Sequence, residues 1–178
     1  VKTYDDMERL LDEQLGRLQT DHLDFYLLHA LNQKSFHDIQ ALDYKKFMND
    51  MLRKGKIRYP GFSFHDNAEV FREILNDFDW KLAQVQMNVL DEFNQATLDG
   101  IKLAEKKGVG IVIMEPLRGG MLAKNPPENV AEVYAKLGGN RTHIDWCFRW
   151  LYDQPGAKVI LSGMSNEAQL KDNINIFA

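Results

Sequence analysis

Five short apolar runs, each separated from the next by a stretch with helical spacing, constrain this chain more than any other feature. They are Asp24-Phe25-Tyr26-Leu27-Leu28-His29-Ala30, then 56–64, 81–89, Val109-Gly110-Ile111-Val112-Ile113-Met114 and Lys158-Val159-Ile160-Leu161. Apolar runs of about four to eight residues, bounded by charged or turn-forming segments, read as strands buried on both faces. Strands joined by helix-length crossovers pair in parallel, with right-handed connections. Pro60 removes one ladder donor from the second run, which weakens that strand without ending it. The expected class is α/β with a single parallel sheet. No linker, repeat or low-complexity segment divides it, so 1–178 reads as one domain.

The intervening segments supply the helices. Met7, Leu10, Leu11, Leu15 and Leu18 form one stripe, opened by Thr3 and Asp6 at capping-box spacing. Leu42, Phe47, Met48, Met51 and Leu52 predict a second helix closing at Lys54-Gly55, and Val70, Phe71, Ile74 and Leu75 a third. Others are expected near 95–107, ending in Gly108, at 128–137, at 142–152 and from Asn166 onward. The stretch from Asn32 to about Ala41 reads as a polar loop. Cys147 lies on the apolar stripe of its helix and is expected in the core, and Trp80, Trp146 and Trp150 are expected to pack.

Charge and cysteine usage narrow the function. Net charge is −4 with acids and bases interspersed, so there is no basic face for nucleic acid and no lysine-rich patch for a membrane. The single cysteine excludes an internal disulfide, no Cys/His spacing suits zinc or another metal, and no run of about 18 apolar residues is present. A reducing, cytoplasmic setting and small-molecule chemistry are expected. The beginning, Val-Lys-Thr-Tyr-Asp-Asp, is neither a signal peptide nor a start methionine and reads as internal to something longer. Element spacing suits a (β/α) barrel, but a closed one needs eight strands and typically about 250 residues. Chemistry in such folds sits at the carboxyl ends of the strands, where His29 stands.

Six stretches then match one family in order: Leu15-Gly16-Arg17-Leu18 with the run ending in His29; Gly55-Lys56-Ile57-Arg58; Gly61-Phe62-Ser63-Phe64-His65-Asp66; Gln84-Val85-Gln86; Met114-Glu115-Pro116-Leu117-Arg118-Gly119-Gly120; and Gly163-Met164-Ser165-Asn166-Glu167-Ala168-Gln169-Leu170 with Asn173. Together they resemble the aldo-keto reductases, and most of all the bacterial and archaeal branch related to members with an iron–sulfur tail. The resemblance implies a partial (β/α)8 TIM barrel, its five parallel βα units corresponding to strands 4–8. It also implies an NADP or NAD cofactor at the carboxyl-end mouth and hydride transfer to a small-molecule carbonyl substrate.

Of the family's catalytic Asp, Tyr, Lys and His, the resemblance assigns only the last, at His29; the other three would precede Val1. Without the tyrosine acid the chain alone is expected to reduce carbonyls about 10²–10⁴-fold more slowly. Ser63 and Gln84 match the pair that holds the nicotinamide carboxamide, with Phe64 where many members have Asn. Met114 matches the residue that packs under the nicotinamide ring. Leu117, Arg118, Gly119 and Gly120 match the pyrophosphate loop, and Asn173 matches an adenine contact. Gly163 and Gln169 stand where some members carry cations for the 2′-phosphate of NADP, so the choice between NADP and NAD is open.

Glu115 reads either as a buried carboxylate beside the cofactor or as a cap on the strand, and His65 as a mouth residue or a bystander. His22, His37 and His143 read as surface or hydrogen-bonded residues. The alternative to a reductase is a nucleotide-sensing or interaction domain on the same fold. Five strands leave two open sheet edges, and self-association through them is expected.

Overall fold

The computed structural model describes residues 1–137 and 139–178. The five strands are β1 (Leu23–Leu31), β2 (Ile57–Phe64), β3 (Leu82–Gln86), β4 (Gly110–Met114) and β5 (Ala157–Ile160). They pair in parallel in the order β1-β2-β3-β4-β5, the succession of adjacent strands that builds part of a barrel wall. The helices are α1 (Tyr4–Leu18), α2 (Gln33–Gln40), α3 (Tyr44–Arg53), α4 (Ala68–Asp77), α5 (Thr97–Lys106), α6 (Glu128–Lys136), α7 (His143–Tyr152) and α8 (Glu167–Phe177). The Thr3–Asp6 capping box forms as its spacing predicts.

Two local expectations differ. Residues 33–40 are helical rather than loop, because Asn32 and Ser35 form a capping box that starts α2. The third strand stops at Gln86, since Asn88 turns the backbone by accepting the Leu90 N–H on its own side chain.

Register explains the core. Phe62 pairs with Ala83 and Ala83 with Ile111; Phe64 pairs with Val85 and Val85 with Ile113. Each of these side chains is buried, so this face of the sheet is the one the helices cover. Phe71 of α4 packs on both Phe62 and Phe64, and Trp80 packs on Phe62 while stacking on Tyr44 of α3. The Trp80 indole N–H donates to the Ile74 carbonyl, which satisfies the one polar atom that burial would strand. Pro60 is tolerated because its carbonyl still accepts the Lys81 N–H.

The opposite face is only partly covered: Ser63 and Val112 are buried on it, while residues toward β1 and β5 are exposed. Phe25 pairs with Tyr59 and Val112 with Val159, and their positions alternate with the buried set. Phe25 is 49% exposed, Tyr59 47% and Val159 48%. The prediction that the first run is buried on both faces therefore fails: β1 is an edge strand covered on one side only. Two-sided burial needs a closed barrel, where this face packs against itself.

Gly61 is the tightest point of the wall. A β-carbon added there would lie 2.8 Å from the Leu82 carbonyl oxygen and 3.3 Å from Leu27 Cγ. Gly61→Ala is expected to destabilise the fold by about 1–3 kcal/mol, read as a lower urea midpoint at unchanged slope. An unchanged midpoint would mean that β2 and β3 part without cost.

Candidate functional site

The sheet's carboxyl end gathers the first group of expected site residues. A register shift between Leu28 and Leu31 puts Ala30 at a positive φ of 52°, and its N–H donates to Ser63 Oγ at 2.7 Å. Bulges of this kind re-aim a strand end. Here the bulge ties the end of β1 to Ser63 and leaves His29, one residue earlier, exposed on the same side as Leu27. Ser63 is buried, accepts from Ala30, and keeps its own hydroxyl proton to donate. Ser63 pairs with Gln84 in register, and the Gln84 amide nitrogen lies 3.5 Å from Met114 Sδ. A hydroxyl and an amide thus stand side by side on β2 and β3, and a thioether from two residues further along β4 reaches the amide.

The second group is the loop after β4. Glu115, Arg118, Gly119 and Gly120 all have positive φ. The two non-glycines in that region carry backbone strain of about 1–3 kcal/mol each, which their contacts must offset. Arg118 donates its N–H to the Glu115 carbonyl, and Gly119 donates its N–H to the Glu115 carboxylate at 2.5 Å. The Leu117 carbonyl accepts from Leu122, leading into the 3-10 turn Met121–Ala123. Glu115 is exposed, so the reading of a buried carboxylate at that position is corrected: its side chain folds over the loop instead of into the core.

Asn173 belongs to a third group, on α8. Its amide donates to Ser162 Oγ at 2.6 Å, and Gln169 accepts the Ser165 N–H at 2.7 Å. Both side chains are thereby spent on shaping the loop after β5. Among the described residues, no hydrogen bond joins this group to the other two.

The comparisons with known proteins bear on this arrangement. Residues 2–178 match the family model described as Aldo/keto reductase family. The chain belongs to that family. It is 26% identical over 133 residues to aldo-keto reductase AMT2 of Alternaria alternata, an alignment covering 72% of this chain and 35% of AMT2. Its fold superposes on aldo-keto reductase AKR11C1 of Bacillus halodurans, in its holo form, with a TM-score of 0.81 and 21% identity over 99% of this chain and 62% of that one. An aldo-keto reductase of Klebsiella pneumoniae in complex with NADPH aligns with a TM-score of 0.67 and 22% identity, over 97% of this chain and 59% of that one. The chain thus spans less than two thirds of the length of these relatives.

In this aldo-keto reductase chain, sequence reasoning missed a polar knot beneath the loop after β4. Asp91 is buried and accepts from the Asn88 amide at 2.7 Å and the Gln86 amide at 3.0 Å; Gln95 in turn donates to Gln86. Arg118 Nε lies 3.7 Å from the same Asp91 oxygen. Burial pushes the Asp91 carboxyl up, but the bonds from Asn88 and Gln86 and the charge of Arg118 outweigh it and hold it below its ordinary value. The signal lay in Gln86, Asn88 and Asp91 closing an apolar run, which reads equally well as plain loop polarity. His65 lines a cavity of about 400 Å³ with Asp66, Asn67, Phe93, Asn94 and Gln95, between the loops after β2 and β3.

Away from the mouth, a larger cavity of about 790 Å³ lies among α6, α7 and α8, lined by Tyr134, Trp146, Trp150 and Phe177. Beside it His143 departs from its expected hydrogen-bonded state: Nε2 is buried and finds no partner among the described residues. Cys147 is buried, as its stripe predicts.

Asp91→Leu leaves the Asn88 and Gln86 amides without an acceptor and is expected to cost about 1–3 kcal/mol in urea unfolding, more than Asp91→Asn, which keeps one. Equal losses would show that the amides find other partners.

Proposed function

We propose that this chain supplies the cofactor side of an NAD(P)H-dependent carbonyl reductase. The observation that carries the reading is the convergence, at one end of the sheet, of Ser63, Gln84 and Met114 with the loop bearing Arg118. Ser63 has a proton to give and Gln84 an amide, a pair suited to a carboxamide. Met114 offers a polarizable sulfur to an aromatic face. Arg118 supplies charge for a diphosphate, and glycines at 119 and 120 let the loop take left-handed conformations and let a ligand come close. The bound nicotinamide would provide the hydride. NADPH in the Klebsiella pneumoniae relative is consistent with this, as is the family itself.

His29 is the catalytic residue of the reading. Exposed at the end of β1 and next to the Ser63 contact, it can donate a hydrogen bond that orients a carbonyl oxygen. Among the described residues no tyrosine or lysine is hydrogen-bonded to it. That favours a second reading for this chain by itself, a domain that binds the dinucleotide with little turnover. Asn173, half-buried beside the loop it shapes, is assigned to the adenine end. Gly163 brings no cation, and Gln169 is engaged by Ser165, so a 2′-phosphate gains no charge-assisted bond of the kind worth about 1.5–3 kcal/mol. Among the described residues no helix is long and apolar enough to cross a membrane.

Calorimetric titration of the chain with NADPH and NADH is the direct test. Saturable binding of both is expected, with affinities within about tenfold of each other and weakened about tenfold by Arg118→Ala. Failure of both dinucleotides to bind a folded chain would end this reading.

Self-association is the other expectation. The free edge of β1 and the exposed Phe25 and Tyr59 beside it form a surface that pairs with other chains. Sedimentation should show a dimer or larger species that dissociates on dilution; a monomer at every concentration would contradict it.

A further inference from the structure

The loop proposed to hold a diphosphate is already matched by this chain's own carboxylates. Arg118 faces Asp91 at 3.7 Å, and the Gly119 N–H donates to the Glu115 carboxylate at 2.5 Å. The two acids differ in one decisive respect. Asp91 is buried and fastened by two amides, so it has nowhere to go. Glu115 is exposed, and the Gly119 N–H is the hydrogen bond found for its side chain.

We propose that Glu115 is an internal anion that occupies the loop after β4 and must be displaced for a dinucleotide diphosphate to bind there, so that it sets the loop's selectivity for anions. The inference rests on the cofactor reading above. A carboxylate oxygen and a phosphate oxygen are both charged acceptors, and one N–H at this position cannot serve two of them at full strength. If Glu115 stays, its charge repels the incoming diphosphate; if it leaves, the loop donor is released into a ready-made anion contact. Because Glu115 is exposed, water takes over its solvation when it swings out, and displacement is within reach of a diphosphate carrying several charged oxygens. Monovalent anions, with one charge to offer against Glu115, gain little by comparison. Glu115 is therefore a specificity-determining residue as well as a cap: it holds Gly119 in its left-handed conformation while the loop is empty and selects for ligands of high charge.

A purely structural Glu115 and a displaceable one predict opposite signs. Glu115→Gln keeps an oxygen to accept the Gly119 N–H but removes the charge. Calorimetric titration of the 178-residue chain and of this variant with NADPH and with inorganic pyrophosphate is expected to show about tenfold tighter binding of both by the variant. The gain should shrink as ionic strength rises, because an exposed charge is screened. Thermal unfolding of the two proteins confirms that both are folded before titration. Tighter binding cannot come from damage to the loop. Unchanged or weaker binding by the variant, with the parent chain binding normally, overturns this inference and leaves the cofactor reading intact. No binding by either protein overturns both.

Discussion

The buried register of Phe62 with Ala83 and Ile111, and of Phe64 with Val85 and Ile113, is the constraint on which the rest of the structure depends. Once these side chains face the helices, alternation sends Ser63, Gln84 and Met114 to the other side; parallel pairing sets Ser63 beside Gln84, and Met114, level with Gln86 two residues on, reaches back to the Gln84 amide. A slip of one residue in any pair would turn the apolar set toward water and the polar set into the core. The placement of these three polar side chains is thus a by-product of core packing. It is held by the cost of exposing Phe62 and Phe64, and the polar residues themselves contribute few contacts to it.

The sheet end is finished by devices that trade strain for position. The bulge in β1 spends a left-handed Ala30 to put its N–H on Ser63. Glu115 and Arg118 take the same conformation, and each has a compensating bond: the Arg118 N–H reaches the Glu115 carbonyl, and the Gly119 N–H reaches the Glu115 carboxylate. Below them Asn88, Gln86 and the charge of Arg118 together outweigh the burial of Asp91 and hold its carboxyl below its ordinary value. Left-handed residues at Ala30, Glu115 and Arg118, beside a sheet whose central strands are regular, are how a rigid wall comes to carry a shaped rim.

The partly covered face gives the same wall a second character. Phe25 and Tyr59 pack on each other with tilted rings and centroids 5.2 Å apart, yet both are about half exposed. In a closed barrel such residues fill the lumen in layers. Here they stand beside a free strand edge, so the chain presents both apolar area and unpaired backbone groups to whatever covers it.

Much of this was legible from residues alone. Five apolar runs separated by amphipathic stripes determined an α/β fold with parallel strands, because period and length are local properties that any packing must respect. The matched motifs named Ser63, Gln84, Met114 and the glycine loop by position, and the capping signals at Thr3 and Gly55 formed as spelled. Tertiary structure alone decided three other matters. An apolar run does not say how many of its faces will be covered, so the exposure of β1 depended on which strands lie beside it. Gln86, Asn88 and Asp91 are ordinary polar letters until the turn after β3 folds them beneath Arg118. Glu115 is the plainest case: its letter was compatible with a buried acid, and only a left-handed backbone at Glu115 and Arg118 brings its carboxylate over Gly119. Contacts that depend on the path of the backbone between strands carry no period, which is why no pattern in the sequence announced them.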